Sequence, residues 1–316
     1  MNNKLGLGMA AIGRPQYINI RQNESLPFNR QLFLKKGKEV LDRAYDLGVR
    51  YFDTAPGYGL AEELLIDWVE EKSDISIELA SKWGYTYIAN FDPHAFKHEE
   101  KEHSLAKLNE QWKQSKRLLP FLTSYQIHSA TFATGVLENE EILDRLFEIK
   151  NECGIRIGLT VTGDNQIEVL KRAIDVSVEG VALFDVFQVT YNIFDQSISE
   201  LISQFRKDSN RLVIKEALAN GRVFQNERFP HYKKAYNFLN ELASKYMVGV
   251  DAIALRFCID SLPTYKVLSG ADNEDHLISN LHAEKIILDE NDLASLRALS
   301  IDPTRYWEER KSLKWN

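Results

Sequence analysis

Four side chains in the first 128 residues have the types and spacing that proton transfer to a carbonyl oxygen needs: Asp53, Tyr58, Lys82 and His128. The stretch VRYFDTAPGYG, residues 49–59, ends an apolar run on Asp53, turns through Pro56 and Gly57, and presents Tyr58 five residues past the carboxylate. A free tyrosine, with a pKa of about 10, exchanges its proton reluctantly near neutral pH. An ammonium a few ångströms away stabilises the phenolate, lowers that pKa and makes the phenol a usable acid or base. A partly desolvated Lys82 needs a carboxylate to stay charged, and Asp53 supplies one. A neutral His128 imidazole hydrogen-bonds the substrate oxygen and fixes its direction. Together the four protonate a carbonyl oxygen while hydride arrives at its carbon. Singly, each has an ordinary reading: turn chemistry for Asp53–Gly57, a rim lysine beside Trp83, a core histidine bonded to backbone. The chemistry follows only if the fold converges them.

What must position them is an alternation of short β-branched or aromatic runs with segments of helical period, which argues for βα units and a parallel sheet. Strands are expected at Leu5–Met9, Val49–Asp53, Ile75–Ala80, Ser124–His128, Ile155–Thr160, Val186–Val189, Leu212–Glu216 and Tyr265–Ser269. Helical patterns cover Gly37–Leu47, Ala61–Lys72, Ser104–Leu118, Glu140–Glu152, Gln166–Val176, Ser199–Lys207, Tyr232–Lys245 and Glu274–Leu281, with an additional stretch at Asp251–Ile259. In Ala61–Lys72, Leu64, Leu65, Trp68 and Val69 recur at helical spacing, and Glu62, Glu63 and Glu70 are expected to face away. Gly221–His231 is polar and aperiodic and reads as a loop. No Pro/Gly/Ser linker divides the series, so residues 1–316 are read as one closed (β/α)8 TIM barrel, an α/β fold that places its active site at the carboxyl ends of the strands.

The chain of 316 residues carries 39 basic and 46 acidic side chains, a net charge of −7. No Lys/Arg cluster is dense enough for a phosphate-backbone footprint, so nucleic acid is not an expected partner. No apolar run approaches the roughly 18 residues of a membrane span, and no signal pattern opens the chain, so the expected location is cytoplasmic. Cys153 and Cys258 show no metal or redox spacing and exclude a disulfide framework. Oligomeric state is not legible.

Two motifs mislead. GLGMAA at Gly6–Ala11 matches a dinucleotide fingerprint, but Ile12-Gly13-Arg14-Pro15 follows without helical period, so a strand–turn–helix reading fails. Its expected role is the cofactor-side turn after the first strand, including Gly8 and Met9. In HAFKHEEKEH, residues 94–103, the spacing of His94 and His98 permits a metal, but a solvated charged face before a helix is the better reading, and no metal is expected.

The ends of the expected strands resemble those of an aldo-keto reductase, from LGLGMAAIG to about Ala283. FDTAPGYG resembles the family's Asp-containing motif with its tyrosine, ELASKWG its lysine strand, and SYQIHSA its histidine strand. By that resemblance Tyr58 is the general acid–base, Lys82 and Asp53 tune it, and His128 orients the substrate. It also implies a (β/α)8 barrel binding NADP(H) or NAD(H) in extended form. SGADNEDHLISN resembles the adenosine-phosphate loop: Gly270, Ala271 and Asp272 would meet the ribose phosphate, His276 would lie near the adenine, and Asn280 would bond the base. Gln188 matches the glutamine that contacts the nicotinamide carboxamide. A capped helix at Asp272 or Asn273 is the plainer reading of that segment.

Three positions depart from the family pattern. The fifth strand ends Thr160-Val161-Thr162 where Ser-Asn is usual. The seventh reads Lys215-Glu216-Ala217-Leu218 where an aromatic residue or Ser-Pro-Leu stands beside the nicotinamide. Asp272 stands where a basic residue often meets a 2′-phosphate, and a carboxylate there suits a free ribose 2′-OH. The resemblance extends to the bacterial branch with aldose and fucose dehydrogenases, so the expected substrate is a small carbonyl, alcohol or sugar. Trp83, Tyr85, Tyr87 and Phe132 could line the pocket or cover the rim. Two other classes compete: a cofactor-binding regulatory or interaction protein on the same barrel, and a divalent-metal isomerase or hydrolase, for which Glu216 and Asp272 are the only further carboxylates at strand ends.

Overall fold

A computed structural model describes residues 3–16, 20, 28–92, 94–206 and 210–315. Eight parallel strands close into a barrel: β1 (Leu5–Gly8), β2 (Tyr51–Asp53), β3 (Glu78–Trp83), β4 (Leu122–Ile127), β5 (Arg156–Thr160), β6 (Phe184–Thr190), β7 (Arg211–Lys215) and β8 (Thr264–Ser269). Each pairs with its sequence neighbours, and β1 joins β8 through Leu5↔Val267 to complete the ring. The expected (β/α)8 barrel is present. Alternate side chains point inward, and Tyr51, Ala80, Val186, Val213 and Leu268 fill the interior as a small apolar cluster. The larger core lies outside, between strands and helices.

Helices follow the strands as the periodicity predicts: α2 (Arg30–Asp46), α3 (Ala61–Glu70), α4 (Leu105–Ser115), α5 (Glu140–Cys153), α6 (Gln166–Ile174), α7 (Lys233–Tyr246), α8 (Val250–Ser261) and α9 (Glu274–Leu281). Four of these starts are set by side-chain oxygens that accept orphan backbone N–H groups: Asn29 from Leu32, Ser104 from Lys107, Asn139 from Ile142 and Asn273 from His276. On α5, Ile142, Leu146 and Ile149 lie fully buried on one face, each contributing roughly 1.5–3 kcal/mol by area removed from water.

Several boundaries differ from the sequence reading. β3 begins at Glu78, not Ile75, because Asp74 accepts from both the amide and the hydroxyl of Ser76 and holds a turn there. Ile75 is left 95% exposed. The shift carries Lys82 into the strand. After β1 a single helical turn, α1 (Ala10–Gly13), does form, then stops at extended Arg14 before Pro15. It is one turn in a closed barrel and not the helix of a dinucleotide fold. Ser197–Arg206 after β6 is a 3-10 helix, and Lys207 of the expected helix lies outside the described residues. Glu62 does not face away: it is fully buried, accepting from the Ser81 hydroxyl and, at 2.8 Å, from Ser115. Burial raises its pKa to about 7, against those hydrogen bonds.

Some features are new. Tyr85–Tyr87 and Glu99–Lys101 form an antiparallel pair between β3 and α4, and two further helices, α10 (Glu290–Arg297) and α11 (Pro303–Lys311), end the chain. The HAFKHEEKEH tract is therefore partly a strand with buried His98, not a solvated face. Among the described residues no helix is long and apolar enough to cross a membrane.

Candidate active site

The four residues selected for their chemistry meet at one end of the barrel. Asp53 closes β2, held by its carbonyl accepting from Met9 N at 2.9 Å. The chain then makes a 3-10 turn, Pro56–Tyr58, with Pro at its first position, where a missing N–H costs nothing. Gly59 leaves that turn at φ 64°, a left-handed conformation glycine adopts without strain. Gly13 packs directly beneath: a Cβ there would sit 2.0 Å from the Tyr58 carbonyl oxygen and 2.4 Å from Ala61 Cβ. Gly13→Ala should therefore displace the turn, lowering stability by about 1–3 kcal/mol in a denaturant titration, with turnover falling alongside. A wild-type midpoint would show that the turn tolerates the shift.

Lys82 is fully buried, and its Nζ donates to Asp53 Oδ1 at 2.5 Å and to the Thr54 carbonyl at 3.0 Å. Gln188 on β6 donates from Nε2 to Asp53 Oδ2 at 2.8 Å. Three strands are thus tied under the turn by one carboxylate. The ammonium also lies 4.8 Å from the Tyr58 ring centroid.

His128 follows β4, its amide continuing the ladder to the Trp83 carbonyl. Ser129, at φ 55°, donates its amide to Thr160 Oγ1 at 2.7 Å. Thr160, where the fifth strand departs from the family pattern, is buried and pins the loop that carries His128. The Tyr58 hydroxyl and His128 Nε2 stand 3.4 Å apart, while His128 Nδ1 has no hydrogen-bond partner among the described residues. A carbonyl oxygen placed between hydroxyl and Nε2 would meet both.

The electrostatics differ in one respect from the sequence reading. The phenol pKa is not lowered but pushed well above 10, by burial first and the Asp53 carboxylate second, with Arg14 opposing. Lys82 directs its ammonium at Asp53 and Thr54. Tyr58 is held as a neutral acid. Burial, then the cations Lys82, Arg14 and Lys215, push His128 well below 6.5, so its imidazole is neutral.

Arg14 went unnoticed in the sequence. It is 2% exposed, donates to the Gly57 carbonyl at 2.9 Å and pairs with Glu99 at 2.5 Å. Its guanidinium lies 5.3 Å from the Tyr58 ring centroid and 4.7 Å from that of Trp315. A contact across 85 residues leaves no local signal. Tyr85 lies against His128, ring centroids 4.6 Å apart. Trp83 is core, not pocket wall, and Phe132 is 46% exposed.

The remaining candidate cofactor residues divide by position. Gly8 ends β1, and Met9 is buried. On β7, Lys215 donates to Thr190 Oγ1 at 2.8 Å, its pKa lowered to about 8 by burial. Glu216, at φ 54°, pairs with Arg310 at 2.8 Å, and Leu218 is half-buried. After β8, Gly270 is exposed with open space where a Cβ would point, and Ala271 is buried. Asp272 accepts from Asn273 at 3.0 Å and lies 3.3 Å from His276 Nδ1. Asn280 is buried, donating to Asp251 at 2.6 Å and accepting from Ser269 at 2.6 Å. It ties the start of α8 and the end of β8 to α9.

Among the described residues no group of three His, Cys, Asp or Glu side chains lies close enough to hold a metal. His98 instead stacks on Trp315 at 4.5 Å.

Residues 4–301 match the family model described as the Aldo/keto reductase family. The chain is 24% identical over 299 residues to Aldo-keto reductase YhdN of Bacillus subtilis (strain 168), covering 85% of this chain and 81% of that protein. Its fold is similar to the holo form of aldo-keto reductase AKR11C1 from Bacillus halodurans (TM-score 0.68, 20% identity, covering 95% of this chain and 92% of that one). It is also similar to glycerol dehydrogenase AKR11B4 from Gluconobacter oxydans (TM-score 0.71, 19% identity, covering 94% and 91%).

Proposed function

Because the chain belongs to the aldo/keto reductase family, whose members are NAD(P)H-dependent oxidoreductases, we propose that it interconverts a carbonyl and an alcohol, with Tyr58 as the general acid–base. The observation that carries this reading is the Tyr58 hydroxyl 3.4 Å from His128 Nε2, both groups held neutral, above the Lys82–Asp53 pair.

A bound nicotinamide supplies or accepts the hydride. The residues present fit such a dinucleotide: Gly270 opens space beyond β8, and α9 begins there with Asn273 as its cap, a backbone end that favours an anion. Gln188 spends its N–H on Asp53, which leaves its carbonyl oxygen to accept from a carboxamide. Lys215 and Leu218 border the same mouth from β7.

The chain's own groups then do the proton work. His128 Nε2 directs the carbonyl oxygen towards Tyr58. In reduction the Tyr58 hydroxyl donates its proton to that oxygen as negative charge develops on it; in oxidation the phenolate takes the proton back. Lys82 and Asp53 fix the floor of the turn, and Thr160 fixes the loop of His128.

The reading is tested by titrating the protein with NADH and NADPH and then following their oxidation with a panel of small aldehydes and sugars. Failure of both cofactors to bind at saturating concentration would end it. Within it, NAD(H) is the favoured cofactor, since Asp272 stands just ahead of α9, and a 2′-phosphate beside it meets like charge. Asp272→Arg should shift the ratio of dissociation constants towards NADPH by roughly tenfold, the scale of one charged contact. An unchanged ratio would place Asp272 away from the ribose.

A further inference from the structure

The antiparallel pair after β3 turns one face to the barrel mouth. Tyr85 sits opposite Lys101 and Tyr87 opposite Glu99, so these four side chains share a face while Thr86 and Glu100 take the other. The shared face is identified by its contacts: Tyr85 lies on His128, and Glu99 pairs with the Arg14 that flanks Tyr58. Lys101 is therefore on the substrate side, its Nζ 5.8 Å from the Tyr85 ring centroid.

Lys101 is half-buried and its hydrogen-bond partner is a hydroxyl, Thr131 Oγ1 at 3.3 Å. The acids around it in sequence are committed elsewhere: Glu99 to Arg14, Glu100 to Lys97 at 2.9 Å, and Glu102 to the Ser104 hydroxyl at 2.5 Å. Among the described residues no carboxylate pairs with it. Burial alone lowers its pKa to about 8, with no neighbouring charge offsetting the desolvation. Holding a partly desolvated cation without a counter-charge is costly, and the cost is recovered when an anion binds. In a chain of net charge −7 this is not general surface basicity.

We propose that Lys101, with Thr131, binds an anionic group of the substrate, so that the enzyme acts on small carbonyls or alcohols bearing a carboxylate or phosphate several atoms from the reacting carbon. The inference rests on the oxidoreductase reading above. The carbonyl oxygen lies at Tyr58 and His128, the chain passes Tyr85, and the anion meets Lys101. Other charged groups face the same mouth: Lys82 is taken by Asp53, Arg14 by Glu99 and Arg310 by Glu216. Lys215, bonded to Thr190, is a second cation at this mouth with no ion pair among the described residues.

The test compares matched pairs: succinic semialdehyde with butyraldehyde, and glyceraldehyde 3-phosphate with glyceraldehyde, which separates carboxylate from phosphate. The anionic member of at least one pair should have the higher kcat/KM. Lys101→Met should cut that preference by about 10- to 100-fold, the value of a charge-assisted hydrogen bond, and Lys101→Arg should restore most of it. Equal kcat/KM within both pairs, or a preference that survives Lys101→Met, would overturn the proposal. So would a loss confined to Lys215→Met, or a Lys101→Met effect that lies wholly in the NADH dissociation constant. Calorimetric binding of 4-hydroxybutyrate against 1-butanol is read separately from turnover. Binding that depends on Lys101 without any NADH oxidation would support the anion site while removing the reductase reading.

Discussion

Tyr58→Phe should lower carbonyl reduction by about 10²–10⁴-fold, the usual worth of a positioned proton donor, while the protein stays folded and still binds its cofactor. The substitution removes one hydroxyl whose partner is His128 Nε2 at 3.4 Å, and the ring keeps its place beside Arg14 and Lys82. The wild-type pH profile should carry the same signature. Reduction needs the protonated phenol, and burial and Asp53 push its pKa above the ordinary value. The rate should therefore hold as pH rises through neutrality and fall only beyond about 10, the unperturbed tyrosine value. His128 moves the opposite way, so its neutral form persists below about 6.5. If Asp53 and Tyr58 merely shaped the turn, Tyr58→Phe would lower stability and spare turnover per folded molecule. Steady-state rates corrected for folded fraction separate the two, and near-wild-type turnover would remove Tyr58 from the mechanism.

The candidate site at the barrel mouth was legible because its signals are local. Asp53 and Tyr58 sit on one turn, and Lys82 and His128 each end an apolar run, so a (β/α)8 reading alone brings them to one mouth. The errors arose where a distant partner or a competing turn decided. Ile75 looked like a strand start until Asp74 capped a turn around Ser76. Glu62 looked solvated by helical period, yet Ser81 and Ser115 from two other elements make a buried place for it. The pair Tyr85–Tyr87 and Glu99–Lys101 was hidden because EEKEH reads as a charged surface. Only the arrival of Arg14 from the β1 loop gives Glu99 a reason to turn inward. The phenol pKa departs from the expectation because burial and the Asp53 carboxylate, expected only to keep Lys82 charged, both raise it. Periodicity reports which face is apolar, but not which polar group on it will find a partner.

The second large effect concerns that pair. Lys82→Met strips the buried Asp53 carboxylate of its cation and leaves Gln188 as its remaining side-chain donor. Removing one partner of a buried ion pair costs about 3–5 kcal/mol, because the other charge is left uncompensated. Lys82→Met should therefore lower stability by that amount and also abolish most turnover. Asp53→Asn in the Lys82→Met background removes the stranded charge and keeps a group that Gln188 can bond, so stability should largely return while turnover does not. The pH profile gives an independent check on sign. Asp53 raises the Tyr58 pKa, so deleting Lys82 alone leaves that carboxylate unscreened and moves the alkaline limb of any residual activity upward. Adding Asp53→Asn removes the cause and brings the limb back down. A lysine that only decorated the rim would predict no loss of stability in the single variant, no recovery in the double one and no movement of the limb. Denaturant midpoints of the wild type, Lys82→Met and the double variant decide between the two, and equal midpoints would show that the pair does not hold the floor beneath Tyr58.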